Sequence, residues 1–461
     1  MLRNLLIILT LSLSVSNLVS AQCWTDVTTG RDYTLAVKED GTLWSWGGNN
    51  EKQLGNGSST PSSTPAQVGT DTNWHRVAAG YLHSVAVKTD GTLWAWGYNA
   101  NNQLGDATNL NKSIPTQIGT DTNWQFVDAG FRHTVALKTD GTLWTFGSNS
   151  NGVLGNDFGP NHDVPTQVGT DTDWQKISTS RSHVLALKNN GTLWAWGLGY
   201  PGALGTGTTA NHFLPIQVGI DSNWDVISAN DDNSYAIKTD GTFWAWGNNS
   251  WGQLGLGNQV VSTSPIQSGT DNDWSFVNSC ASGVMAIKTD GTMWSWGSNF
   301  TGQLALGFES NSEQTPAQVG TNTNWQFVGH GSAVHFMAIS DDGKLWGSGR
   351  NIDGNIGDGT TIDRSSPTEI YCTPLSISEY ALNENEILVY PNPSQGVITI
   401  KLPVNYQNIV DYELTDILGK TIKSGQMYSG EQINIENLQS GSYLLRLNVE
   451  GKIMTSKLLV E

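Results

Sequence analysis

The sequence predicts an all-β chain: a seven-bladed β-propeller of four-stranded blades, followed by a small C-terminal β-sandwich. Three observations carry this. One motif recurs with a near-constant step, its turn residues fall between β-branched and aromatic runs, and no window of useful length shows helical periodicity.

The motif is clearest in His83-Ser-Val-Ala-Val-Lys-Thr-Asp-Gly-Thr-Leu-Trp-Ala-Trp-Gly97, two strand-forming runs around Asp90-Gly91. Asp-Gly fits a tight hairpin turn because glycine tolerates positive φ. The turn glycines are Gly41, Gly91, Gly141, Gly191, Gly241, Gly291 and Gly343, spaced fifty residues apart five times and then fifty-two. A Trp precedes each hairpin, from Trp24 and Trp74 to Trp325, and a short run such as Pro65-Ala-Gln-Val68 completes the unit. Each repeat thus has four strands: a (Pro-x-Gln-Val), b (Trp-x-x-Val), c (ending at the turn Asp) and d (Leu-Trp-x-Trp-Gly). The chain starts at a strand b, and its last strand a, Pro367 to Ile370, has no b after it. Seven complete sets then require the two ends to share one blade, which closes the ring and leaves no open edge between first and last blades.

Nineteen of the twenty Trp fall in three strand columns, and Trp251 stands outside them. Each blade is covered on both sides by its neighbours, so large aromatic rings at these positions read as inter-blade core.

The run Val77-Ala-Ala-Gly-Tyr-Leu-His-Ser-Val-Ala-Val87, with Trp96-Gly97-Tyr-Asn99 and Gln103-Leu104-Gly105, resembles the regulator-of-chromosome-condensation repeat. The resemblance covers Cys23 to about Cys372. It implies a seven-bladed propeller closed by strands from both termini. The plant ultraviolet receptor of this family senses light through Trp in a Gly-Trp-Arg-His motif. Tyr81, Phe131 and Arg181 hold that place here, so photoreception is not implied.

Four segments are expected: a signal peptide at 1–21, the propeller at 22–372, a linker at 373–386 and a C-terminal domain at 387–461. The signal peptide reads from Arg3, an apolar run from Leu5 to Val15, and the small-residue site Val19-Ser20-Ala21. Its apolar run is too short for a permanent span, so no membrane span is expected in the mature protein. After Trp346 the chain has no Trp, and short strands alternate with polar turns. The markers Tyr390-Pro-Asn-Pro393 with Gly396, Asp416-Ile-Leu-Gly-Lys420, Leu438-Gln-Ser-Gly-Ser-Tyr443 and Lys457-Leu-Leu-Val460 occur in order at the end. They resemble the C-terminal sorting domain of the type IX secretion system. That implies passage through the periplasm, engagement of the secretion machinery by 387–461, and release or attachment at the outer cell surface.

The net charge of −18 excludes a basic nucleic-acid surface, so no nucleic-acid partner is expected. Antiparallel strands place the a–b and c–d connections on one face of the disc. The b–c and d–a connections lie on the other. The first face repeats Gly-Thr-Asp-Thr-Asn and Asp-Gly, giving an acidic rim that includes Asp71, Asp90, Asp121, Asp140, Asp171, Asp221, Asp240, Asp271 and Asp290. Asp in these turns serves Asx-type hydrogen bonds, and too few oxygens sit in any one turn for Ca²⁺.

The second face varies from copy to copy and carries Tyr81, Tyr98, Phe131, Phe158, Tyr200, Phe213, Trp251, Phe300 and Phe308. Aromatics on loops over a rigid ring suit recognition, because they supply contact area at low entropic cost. Tyr81, Tyr98, Phe131, Phe158, Tyr200, Phe213, Trp251 and Phe300 are the candidate binding residues, for an extracellular protein or glycan.

No catalytic residue, cofactor or metal site is expected. His83, His133, His183 and His335 occupy one column in different blades, as structural hydrogen-bonding groups do. Gly205-Thr-Gly-Thr-Thr-Ala210 lacks a βα context, and Gly419-Lys-Thr421 lacks the first Gly of a phosphate loop. The leading function is an exported binding or adhesion module. An extracellular polymer-degrading enzyme is the alternative, and guanine-nucleotide exchange is implied by the family name alone.

One disulfide is expected. Cys372 aligns with Thr70 and Cys23 with Asn73, positions that would face each other across an a–b hairpin loop. An exported protein meets an oxidising compartment where such a bond persists. Cys280 takes the place of Gly80 and is expected to remain a free thiol.

Overall fold

In the computed structural model the described residues are 23–370, apart from 281 and 332, and then 388–390, 396–401, 409–416, 420–428, 431–435, 437–439, 441–449 and 452–460. The expected signal peptide at 1–21, the expected linker at 373–386 and Cys372 lie outside them. The chain divides into two compact units, Met1–Cys372 and Thr373–Glu461.

The first unit is a ring of seven antiparallel blades. Blade 2 shows the plan: strand b is Trp74–Ala79, c is His83–Lys88, d is Leu93–Gly97 and a is Lys112–Gln117, hydrogen-bonded in that order. Strand b is innermost, and residues from b strands of all seven blades line one central cavity. Strand a is outermost and pairs with strand d of the same blade: Trp94 faces Gln117 and Ala95 faces Thr116.

That pairing corrects the expected closure. Each blade is one unbroken stretch b–c–d–a, and the termini share none. Trp24–Thr29 opens blade 1, and Arg364–Ile370 completes blade 7. The strand count alone leaves the grouping open; the d–a loop decides it. Gly97 bends the chain at φ +92°, where a Cβ would sit 2.8 Å from the Leu82 carbonyl. Asn99 then folds the loop back on its own blade. Its Nδ2 donates to the Thr108 and Leu110 carbonyls at 2.9 and 3.3 Å, and its Oδ1 accepts from Leu104 N–H at 3.0 Å. The a–b connection instead crosses to the next blade, so it is no hairpin.

The ring closes by repeating one junction. Trp74 N–H donates to the Gly41 carbonyl of the preceding blade at 3.0 Å, and Trp24 N–H donates to Gly343 of blade 7 at 3.2 Å. Gly57 N–H reaches the Ser113 carbonyl on the next blade's strand a at 2.8 Å, and Gly359 N–H reaches Ser63 at 2.9 Å. Blades 7 and 1 add a short parallel pairing, Thr28 with His330 and Thr29 with Gly331.

Side chains fill the same interfaces. Trp96 is fully buried, and its Nε1 donates to the Gln53 carbonyl of blade 1 at 2.8 Å. Trp74 meets Trp94 and Trp96 edge-on at 5.8 and 6.1 Å between centroids. A ring of this size buries on the order of 200 Å², about 5 kcal/mol of apolar transfer before entropy is charged against it. The histidines join consecutive blades: His83 Nε2 lies 3.2 Å from Thr134 Oγ1, His133 Nε2 2.7 Å from Thr179 Oγ1, His183 Nε2 2.8 Å from Ser234 Oγ, and His335 Nε2 3.0 Å from Thr34 Oγ1 of blade 1.

In the second unit one sheet holds Leu388–Tyr390, Val397–Lys401 and Gln432–Asn434. The other holds Thr421–Met427, Val410–Asp416, Gly441–Val449 and Lys452–Val460. Ile398, Ile400, Leu414, Leu445 and Leu458 form the buried core. This is the sandwich the alternating strands predict.

The histidine column gives stability a pH dependence. Burial pulls His83, His133 and His335 down to about 3 and His183 to about 4. An unfolded imidazole takes up its proton near pH 6.5, so between there and pH 4 the unfolded state binds more protons. The contribution is complete above pH 6.5 and is lost as pH falls. Asp26, which burial raises to about 6, acts in the opposite sense and offsets part of it. Thermal melts from pH 7 to pH 4 should therefore fall more steeply in wild type than in His133→Gln, whose amide bonds without titrating. An equal or steeper fall in the variant rejects this.

Candidate functional site

The b–c turns and d–a loops form one face. Each d–a loop is tied back by its Asn hub and bonded to the next blade's outer strand, so its side chains stand on a rigid base. Blade 4 departs from this. Gly199 replaces the hub Asn, and Tyr200 of that loop is 66% exposed with no ring contact.

The aromatic candidates fall into pairs. Trp251 and Phe300, 37% and 47% exposed, meet edge-on at 4.8 Å across two blades. Phe158, 70% exposed, lies 5.3 Å from Phe213. Phe213 is not a loop residue: strand a of blade 4 is His212–Gln217, longer than its Pro-x-Gln-Val core. Its ring packs over Gly152 of blade 3, where a Cβ would come within 2.2 Å of Phe213 Cδ1. Tyr81 and Phe131, on adjacent b–c turns, are 4.1 Å apart. Tyr98 joins them, with Glu51, Leu82 and Arg132, around a small cavity of about 140 Å³. The structure thus assembles three clusters on this face, with Tyr200 apart from them.

A cavity of about 400 Å³ is the central channel. Asp26, Arg76, Phe126, Lys176, Phe276 and Phe327 stand in its wall, all at the third residue of strand b. The sequence reading passed over them. The available signal was the second x of Trp-x-x-Val, which ranges over Asp, Arg, Lys, Val and Phe while the Trp before it and the Val or Ile after it hold their columns. The channel's ions are partnered: Arg76 Nη1 is 3.9 Å from Asp26, and Lys176 Nζ is 2.7 Å from Asp225.

The acidic rim of the opposite face is structural. Lys88 Nζ is 2.6 Å from Asp71 and lies over the Trp74 and Trp94 rings at 4.4 and 3.8 Å. Asp121, Asp171, Asp221 and Asp271 hold Lys138, Lys188, Lys238 and Lys288 in the same way. Asp90 accepts both the hydroxyl and the N–H of Thr92, at 2.6 and 3.1 Å, and these bonds hold its carboxyl below the usual range.

Blades of this plan and a separate C-terminal β unit define a repeat propeller joined to a small β-sandwich. The chain belongs to the family of the RCC1-like domain, whose model matches residues 76–383; models of the regulator of chromosome condensation (RCC1) repeat match 24–53 and 40–87. The model of the secretion system C-terminal sorting domain matches 388–461, which routes the protein by type IX secretion to the cell surface or the extracellular space. Among the described residues no helix is long and apolar enough to cross a membrane. Human WBSCR16 is similar in fold, at 20% identity and a TM-score of 0.65, covering 72% of this chain and 94% of that one. Prp20p of Saccharomyces cerevisiae is similar at 19% identity and a TM-score of 0.65, covering 80% and 91%. An endo-acting ulvan lyase of Formosa agariphila is 32% identical over 103 residues, 22% of this chain; the chain spans 19% of that relative's length.

Because Asp71 is half-exposed, Asp71→Ala should cost less than about 1 kcal/mol, the range of solvent-screened ion pairs. Urea unfolding checks this. A loss several times larger, or a loss of stability on adding a chelator, would give the rim a role beyond the lysine pair.

Proposed function

We propose that the protein is an exported binding module that captures an extracellular protein or glycan through its b–c and d–a loop face. The carrying observation is the set of exposed, mutually packed aromatics held on loops with fixed bases, Trp251 with Phe300 foremost. Contiguous exposed aromatic surface marks interaction sites. Binding is favoured over polymer cleavage by the use made of titratable groups: the four column histidines are committed to inter-blade hydrogen bonds. The ulvan lyase match covers too little of either chain to bring an active site with it.

Replacing Tyr200, Trp251 and Phe300 together by Ala should abolish capture of the cognate surface by the full chain and leave the melting temperature within a few degrees of wild type. Retained capture rejects this part of the face. Rings that rest on turns rather than in the blade interfaces are expected to contribute little to stability.

We also propose a Cys23–Cys372 disulfide, for a reason that differs from the hairpin argument. At the internal junctions a short link such as Gly69–Asn73 runs from strand a of one blade to strand b of the next. Between blades 7 and 1 the same backbone contact, Trp24 N–H to Gly343 carbonyl, is made without that link. Cys23 and Cys372 stand at its two ends in the repeat alignment, and a bond between them replaces it. The loop closed is nearly the whole propeller, worth on the order of 5 kcal/mol in the chain-entropy model. Cys280 is a buried free thiol. Peptide mapping under non-reducing conditions should recover the cross-linked pair; both thiols alkylated in the native protein rejects it.

A further inference from the structure

Around the axis on the loop face, four consecutive b–c turns carry Arg31, Tyr81, Phe131 and Arg181. They form a ladder. Arg31 lies over the Tyr81 ring at 5.1 Å, Tyr81 packs on Phe131, and Arg132 and Arg181 each lie 4.9 Å from the Phe131 centroid. A guanidinium stacked on a ring uses its flat side and keeps its in-plane N–H donors for another group. Arg132 and Arg181 make no hydrogen bond or ion pair with the described residues, although Arg181 feels the field of Asp231 and Asp232. By contrast, the lysines at the ends of strand c in blades 2 to 6 are all paired with rim aspartates.

Beside the ladder lies the cavity of about 140 Å³, roughly the room one sugar ring needs, lined by Glu51, Tyr81, Tyr98, Phe131 and Arg132. Glu51 is fixed there by Asn111 Nδ2 at 2.8 Å. A carboxylate inside the cavity repels a fully anionic group such as a phosphate. It accepts hydroxyl donors well. The same cavity therefore offers an aromatic floor, a hydroxyl acceptor and a forked cation within one residue's reach.

We propose that this cleft is a subsite for an acidic polysaccharide. A uronic acid residue packs its apolar face among Tyr81, Tyr98 and Phe131, gives its hydroxyls to Glu51, and sets its carboxylate against Arg132, with Arg181 taking the acid group of the next residue. The inference rests on the binding-module reading and names the ligand class for one part of that face. On a chain of net charge −18, a polyanion is repelled generally, so a guanidinium set on an aromatic ring, Arg132 foremost because it has no hydrogen bond or ion pair with the described residues, gives the site its selectivity.

The test is calorimetric titration of the full chain with trigalacturonate, its methyl ester, a neutral glucan trimer and dextran sulfate. Trigalacturonate should bind, and the ester and the neutral trimer should bind at least about tenfold more weakly, the effect of losing a charge-assisted hydrogen bond. Arg132→Ala and Phe131→Ala should each weaken binding about tenfold, and Arg132→Lys should not restore it, because an ammonium lacks the fork. Arg132 is exposed, so its variants should melt as wild type does. Equal binding of acid and ester, binding of dextran sulfate alone, or unchanged affinity in Arg132→Ala overturns the proposal. Cell-surface capture that persists without any trigalacturonate binding overturns this inference and leaves the binding-module reading standing. Loss of both removes both.

Discussion

The structure depends on the junction between neighbouring blades. A lone blade of this sequence has two apolar faces and cannot bury either. The hairpin of its two middle strands has an apolar centre: Val85, Ala86 and Val87 of strand c are all buried, and so are Leu93, Ala95 and Trp96 of strand d. Stability therefore resides between blades, in the Trp columns, the Trp N–H to Gly carbonyl bond, and the histidine that reaches the next blade's hydroxyl. Where blade 1 lacks the column histidine, Tyr33 takes over. Its hydroxyl donates to the His83 carbonyl at 2.5 Å and accepts from Ser84 Oγ at 3.1 Å. The contact survives a change of side chain because the geometry around it is fixed.

This explains which parts of the fold were legible in the sequence. Strand identity, blade number and the core columns could be read directly, because each rests on local chemistry that recurs with small substitutions in every blade: the Asp-Gly turn, the Trp-x-x-Val run, the Leu-Trp-x-Trp-Gly strand. Which strands belong to one blade could not. Strand a follows d by a long loop and precedes b by a short link, and proximity in sequence favours the wrong partner. In six blades the loop is held by the side chain of Asn99 or its copies, which recur at the repeat step; the sequence shows that column but not the carbonyls its members hold.

The functional face was legible in outline for a different reason. Repetition makes departures visible, so Trp251 stood out as the Trp outside every column. Pairing among the aromatics was not readable. Corresponding b–c turn positions brought Tyr81 to Phe131, and loop positions offset by one residue brought Trp251 to Phe300, whereas Tyr200, on the loop without its Asn hub, has no ring partner among the described residues. The channel wall is not legible in the same way, because its variable residues sit inside strand b, where an inward-facing position reads as core.

Every junction repeats one backbone bond, Trp N–H to Gly carbonyl. Trp24 meets Gly343 as Trp74 meets Gly41, and nothing in that contact records which blade is which. The side chains around it differ at a few places, Tyr33 for His83 and Phe146 for Trp96 among them, and the backbone contact is indifferent to the change. A whole fifty-residue cassette, with its b–c turn and d–a loop, is therefore the natural unit of recombination: exchanging one re-addresses a single sector of the binding face while the remaining sectors keep their shape.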